Sequence, residues 1–372
     1  MSSPLNIVMC EPLTWDSTAK TGSHHYAEKL AELGHRVFWI SHDLHLPGIL
    51  RGKHPNFTAV KTVGAQGNIL CWHPIAPLPF RRKPLLDNKI VAQANRLLCA
   101  PQIRRVLKKH GFETVDILWL SQGYVSSLAL HALKAKTTFF RMSDNAVGFL
   151  EFPRTYQLLE QELIARSDHI GITSPALRAT VPPPHQSKII DCPNGCEWSS
   201  FQVPKEVSPT PKRAIFTGIV GSWFNPSFLL EVARACPDWT FDIHGPVQIE
   251  LGELARQPNV FFHGRFQYTS LPGLLARADA GLIPFHTTDG VGEFANPLKA
   301  WEYLAAGLPV VTTPLPALNP VPGMLNTAAT PTEFSNHLRR ATPSASLEAE
   351  RREFARGYDW ASLTPKLLNQ IL

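Results

Sequence analysis

No run of about 18 or more uninterrupted apolar residues occurs in the 372-residue sequence, which excludes an ordinary membrane-spanning helix. The N-terminus lacks the charged-then-apolar layout of a signal peptide, so the expected location is the cytoplasm. There is no G-x-G-x-x-G, which argues against a dinucleotide-dependent dehydrogenase. Cysteine is sparse. Of the six, Cys192 and Cys196 flank Pro193-Asn194-Gly195 with no second pair at metal-ligand spacing, so free structural thiols are expected and no metal site is assigned. A net charge of +6 is modest, and no basic run is interleaved with aromatics in a nucleic-acid-binding motif. It suits an anionic surface.

A hydrophobic content of 44% with 18% charged residues describes a folded, soluble chain long enough for two domains. Proline is abundant, at 33 residues, and clusters at Pro182–Pro184, Pro204–Pro211 and Pro314–Pro322, where boundaries are expected. The stretch Asn296–Thr313 organises the rest. Asn296 is a good N-cap and Pro297 suits the first helical position, so a helix should start there and end at Gly307. Leu298, Trp301, Leu304 and Ala305 form its apolar stripe, while Lys299 and Glu302 share another face. A helix N-terminus carries about half a positive charge and Lys299 adds a full one, which suits a phosphate or diphosphate. Glu302, one turn on, could accept both hydroxyls of a ribose. The alternative is a solvated Lys–Glu pair on an amphipathic helix.

Toward the N-terminus, Asn6–Cys10, Ser23–Leu33 and Arg36–Ser41 read as a βαβ unit. Ligands of open parallel sheets bind beyond the carboxyl ends of strands, so His24 and His25 at the helix start should face a cleft. Residues 44–83 read as irregular, with Phe57, Trp72 and Phe80 in presumed acceptor loops. Arg81, Arg82, Lys83 and the basic helical stretch from Arg96 to Lys109 are either a solvated face or a patch for anionic lipid. Thr137–Phe140 reads as a strand running into Arg141-Met142-Ser143-Asp144, which puts a carboxylate at a strand end. A second α/β unit starts with Ala214–Thr217 and continues into Gly218 and Gly221, whose backbone could approach a phosphate. Strands Thr240–Ile243 and Val260–His263 end at His244 and at Gly264-Arg265.

The string N-P-L-K…E-Y-L-A-A-G-L-P-V-V, together with P-N-G at 193–195 and Asp279–Phe285, resembles GT-B glycosyltransferases, especially family 4-like members of glycosyl transferases group 1. The resemblance implies an α/β chain of two facing Rossmann-like domains with a cleft between them. It gives an acceptor-binding domain over 1–196, rejoined by a C-terminal helix over 357–372, and a nucleotide-sugar-binding domain over 197–356. It implies a hexosyltransferase-type enzyme using a nucleotide sugar, commonly UDP-linked, as substrate rather than cofactor. The acceptor would be a glycan or lipid-linked molecule in cell-surface polysaccharide synthesis. By the same resemblance Asn296, Pro297, Leu298 and Lys299 contact the donor diphosphate, and Glu302 contacts the ribose. Gly218, Gly221 and His244 line the donor site, and backbone near Arg265 meets the base. The loop His286–Glu293 would lie beside the transferred sugar. One position departs from the pattern: retaining members carry a glutamate eight residues before Glu302, where this chain has Phe294, with Glu293 adjacent. The R-x-S-D string ending at Asp144 is similar to that of the xanthan-pathway glucuronosyltransferase, which implies Asp144 as general base, with His24 or His25 as substitutes. The rivals are a nucleotide-sugar 2-epimerase and a non-catalytic GT-B partner subunit.

Overall fold

The computed structural model describes all residues except 1–2, 18–19, 43, 53–58, 65, 84, 146–153, 207–211, 288–291, 320, 322 and 342–343. Phe57, Gly290 and the end of the 204–211 linker therefore lie outside the described residues. The chain divides into two compact units, Met1–Cys192 with Thr364–Leu372, and Pro193–Leu363.

The first unit is built on an eight-stranded sheet. Its strands run in the spatial order Ile189–Asp191, His169–Ile172, Ala135–Met142, Val115–Ser121, Asn6–Cys10, Arg36–Ile40, Ile69–Trp72 and Lys61–Val63. All neighbours are parallel except the last pair. Ile7, Val8, Met9 and Cys10 are all buried, the unbroken apolar run expected of a central parallel strand covered on both faces. The segment read as irregular contributes Ile69–Trp72 to this sheet and Lys61–Val63 as its antiparallel edge. The turn glycines Gly64 and Gly67 between them, both with positive φ, and Pro74 beyond the second hold these strands to three and four residues, too short for their period to show. The basic stretch is a 21-residue helix, Lys89–Lys109, opened by Asn88, whose side chain accepts from Val91 N at 2.9 Å. Leu367, Leu368 and Ile371, near the end of the helix Trp360–Ile371, line one small cavity with Ile7, Tyr26 and Leu30.

The second unit has six parallel strands in the spatial order Val260–Gly264, Trp239–His244, Lys212–Thr217, Ala280–Ile283, Val310–Thr312 and Leu325–Thr327. In chain order this is 3-2-1-4-5-6, so the winding direction reverses between Lys212–Thr217 and Ala280–Ile283. Its core includes Phe216, Trp239, Phe241, Trp301 and Tyr303. Trp301 stacks on Tyr358 with ring centroids 3.8 Å apart. The connection after Cys192 is tied inside this unit, since Cys196 N donates to Tyr358 O and Trp360 N donates to Cys196 O.

Candidate active site

A ligand of an open parallel sheet sits beyond the carboxyl ends of the strands where the winding reverses. In the second unit these ends are Thr217-Gly218 and Ile283-Pro284-Phe285. The helix Leu298–Ala305 delivers Lys299 to this place. Its Nζ lies 3.6 Å from the Phe216 ring centroid and 5.0 Å from that of Phe285. Two aromatic faces attract the ammonium and strip it of water. A Cβ on Gly218 would stand 3.1 Å from Nζ, and Gly218 has φ of +115°, so glycine serves both the approach and the turn. Gly218 N donates to His244 O at 2.8 Å, and a Cβ on Gly245 would collide with the Gly218 carbonyl oxygen.

The solvated pair expected as an alternative is absent: Lys299 is 9% exposed and Glu302 5%. Burial pushes the Lys299 ammonium down to about 7, opposed by Glu302, and pushes the Glu302 carboxyl up to about 7, opposed by Tyr268 and Lys299. Tyr268 Oη donates to Glu302 Oε1 at 2.8 Å, an orienting contact that the sequence did not reveal because 34 residues separate the partners.

Two local expectations are corrected. The helix begins at Leu298, with Pro297 in the cap position and no side chain capping it. Asn296 is occupied elsewhere, its Oδ1 accepting from Trp301 Nε1 at 3.0 Å and its carbonyl from Asn194 Nδ2 at 2.6 Å. A buried indole N–H needs a partner, and this demand takes the asparagine from the cap. Leu298 is only half-buried, while Ala300 and Tyr303 join Trp301, Leu304 and Ala305 in the interior, so the helix is enclosed on more than one side.

Other candidates have varied surroundings. Gly221 packs on the Trp223 ring, where a Cβ would come within 2.7 Å, and its carbonyl accepts from Phe224 N, so it shapes a turn. His244 stacks on His263 at 4.3 Å, and burial and then His263 lower its imidazole to about 4. Arg265 is exposed just beyond Gly264, whose carbonyl accepts from Gly245 N. Glu293 is exposed on the short 3-10 turn Gly292–Phe294, with Phe294 half-buried beside it.

In the first unit Asp144 stands two residues beyond Met142, at the carboxyl end of a strand parallel to both neighbours. Burial raises its carboxyl to about 6, against the pull of Arg141 and Ser143. Its backbone is clamped by Gln122, a residue with no motif around it. The Gln122 Oε1 accepts from Ser143 N at 3.0 Å and Asp144 N at 2.9 Å, while Nε2 donates to Asp144 O at 2.6 Å and to Glu160 Oε1 at 2.7 Å. Glu11 was also missed. It is buried where this sheet reverses direction, accepts from Ser121 Oγ at 2.6 Å, and is raised to about 7 by burial. Strand ends 110 residues apart meet only through the fold.

The two histidines are buried in the first turn of the helix Gly22–Glu32. The His24 Nδ1 accepts from Thr21 N at 3.2 Å and its Nε2 lies 3.2 Å from Thr14 O, an arrangement that suits a neutral ring protonated at Nε2. Burial and then Lys20 lower it to about 4, and burial brings His25 to about 3. His24 thus closes a capping box, which places the expected candidate base in a structural task.

Two parallel-sheet units, the second with a 3-2-1-4-5-6 winding and a buried lysine at its reversal point, constitute a GT-B fold. Sucrose-phosphate synthase from Thermosynechococcus elongatus matches with a TM-score of 0.70 at 14% identity over 98% of each chain. Anabaena Alr3699/HepE in complex with UDP matches with a TM-score of 0.66 at 14% identity, over 98% of this chain and 99% of that one. Residues 213–342 match the family model for glycosyl transferases group 1. It is also 30% identical over 175 residues to the putative teichuronic acid biosynthesis glycosyltransferase TuaH of Bacillus subtilis (strain 168). That alignment covers 42% of this chain and 43% of the relative.

Proposed function

We propose that this protein is a glycosyltransferase that moves a hexose from a nucleoside-diphosphate sugar to a glycan or lipid-linked acceptor in cell-surface polysaccharide synthesis. The observation that carries the reading is the buried Lys299 at the reversal point of the second sheet, beside Gly218 and one turn from the Tyr268-held Glu302. Lys299 and the uncapped helix N-terminus supply positive charge where the diphosphate departs, so the mechanism calls for no metal or cofactor. Glu302 accepts from the ribose hydroxyls. UDP is the preferred nucleotide, supported by the UDP-bound Anabaena structure of the same fold.

On the acceptor side Asp144 is the general base. A carboxyl raised to about 6 is closer to neutrality than an ordinary aspartate, which suits removal of a hydroxyl proton during attack on the anomeric carbon. With Phe294 in place of the usual donor-side glutamate, the reaction inverts configuration.

A thermal-shift panel of UDP, GDP, TDP and ADP tests the donor assignment. UDP at 100 times its dissociation constant should stabilise the protein by about 2.7 kcal/mol. Lys299→Ala should weaken UDP binding by roughly 2–5 kcal/mol, the range for removing one partner of a buried charge pair. Unchanged affinity in a folded Lys299→Ala variant would refute the site.

A further inference from the structure

The outer face of the helix Lys89–Lys109 combines two features that water alone does not call for. The helix contains no acidic residue, but it contains Lys89, Arg96, Arg104, Arg105, Lys108 and Lys109. Its inner face is settled, since Val91, Asn95, Cys99, Ile103 and Leu107 are buried at helical spacing. The opposite face carries Ile90, 81% exposed, and Leu97, 65% exposed, seven residues apart on one stripe, with Leu98 beside it at 56%. Leu85, 85% exposed, precedes the helix. Asn88 Nδ2 donates to Leu85 O at 3.0 Å, which fastens that turn to the first turn of the helix and keeps Leu85 near Ile90. Arg81, Arg82 and Lys83 lead into the same turn and are exposed. Three cations of the helix have local uses, Arg96 pairing with Glu162 and donating to Ser127 Oγ, Arg104 donating to Ala132 O and Lys108 pairing with Glu113 at 3.7 Å. Lys89, Arg105 and Lys109 remain as flanking charges.

We propose that this face, from Arg81 through Lys109, docks on an anionic lipid surface, with Leu85, Ile90 and Leu97 entering the acyl boundary and the cations meeting headgroup phosphates. An acidic protein would be met by the cations alone. Exposed leucine and isoleucine among cations fit a bilayer, where apolar side chains are buried below a negatively charged plane. Among the described residues no helix is long and apolar enough to cross a membrane, so the attachment is interfacial.

The test is co-sedimentation of the whole protein with phosphatidylcholine vesicles, with and without phosphatidylglycerol. No nucleotide or acceptor is needed, so failure here leaves the transferase reading intact, and failure of UDP binding leaves this one intact. The protein should bind the anionic vesicles and release with salt. Replacing Arg81, Arg82 and Lys83 with serine should lower partitioning about tenfold or more. Leu85→Ser with Ile90→Ser and Leu97→Ser should also lower it by about tenfold or more, from the lost burial of three apolar side chains. The altered side chains are exposed, and unchanged melting of both variants would show the fold retained. Equal binding to neutral and anionic vesicles overturns the proposal. So does native-like binding by the apolar variant, which would leave a purely polyanion-binding surface. A native dimer split by the apolar variant would assign the face to a second copy of the chain instead.

Discussion

At the residue scale the chemistry rests on groups moved from their ordinary ionisation by burial. Burial between two aromatic rings holds Lys299 near 7, so at pH 8 it is mostly neutral. A diphosphate favours the ammonium and raises its pKa, so binding must take up protons above pH 7. UDP affinity should therefore fall as pH rises from 7 to about 9, and calorimetry at pH 8 in buffers of different ionisation enthalpy should show uptake approaching one proton. Lys299→Arg should abolish that uptake, because guanidinium stays charged. On the acceptor side, Asp144→Asn should lower turnover by a factor of about 10² to 10⁴ with donor affinity nearly unchanged. Normal turnover in that variant, with loss in Glu293→Gln, would instead indicate retention. Gln122 acts through Asp144 if the backbone clamp matters to catalysis. Gln122→Ala should then reduce turnover by about 10², while adding it to Asp144→Asn costs little more. Multiplying effects would give Gln122 a structural role independent of Asp144.

At the element scale the helix Leu298–Ala305 is short, and its position is fixed by packing more than by capping. Gly307, with φ of +80°, ends it as the sequence indicated, donating to Leu304 O. Trp301 anchors its middle: the ring is 1% exposed, stacks on Tyr358, and gives its N–H to Asn296. Trp301→Ala should cost about 3–5 kcal/mol in denaturant unfolding. Asn296→Ala should behave as the loss of a buried hydrogen-bond partner, about 1–3 kcal/mol, and not as the loss of a cap. A cost of only a few tenths would return Asn296 to a marginal role. Hydrogen exchange near Trp301 Nε1 would separate the two cases.

At the scale of the whole molecule, the two units have different degrees of legibility. The second was readable almost strand by strand: Ala214–Thr217, Thr240–Ile243 and Val260–His263 fall within observed strands, and Lys299 and Glu302 lie near the carboxyl ends of that sheet. UDP should increase amide protection at the ends of Lys212–Thr217 and Trp239–His244 while leaving the strands Asn6–Cys10 and Arg36–Ile40 unchanged; protection gained only in the first unit would misplace the donor site. What the sequence by itself determined is the alternation of strand and helix, the turn glycines and the motif around Lys299, because these depend on local period, backbone freedom and short spacing. Only tertiary structure decided that Lys299 lies between Phe216 and Phe285, that Tyr268 orients Glu302, that Gln122 clamps Asp144 and that Asn296 leaves its cap for Trp301. Each of these except the last joins residues separated by 14 to 83 positions in the chain, and a buried polar group takes whichever partner the fold brings within reach, a choice that no local pattern encodes.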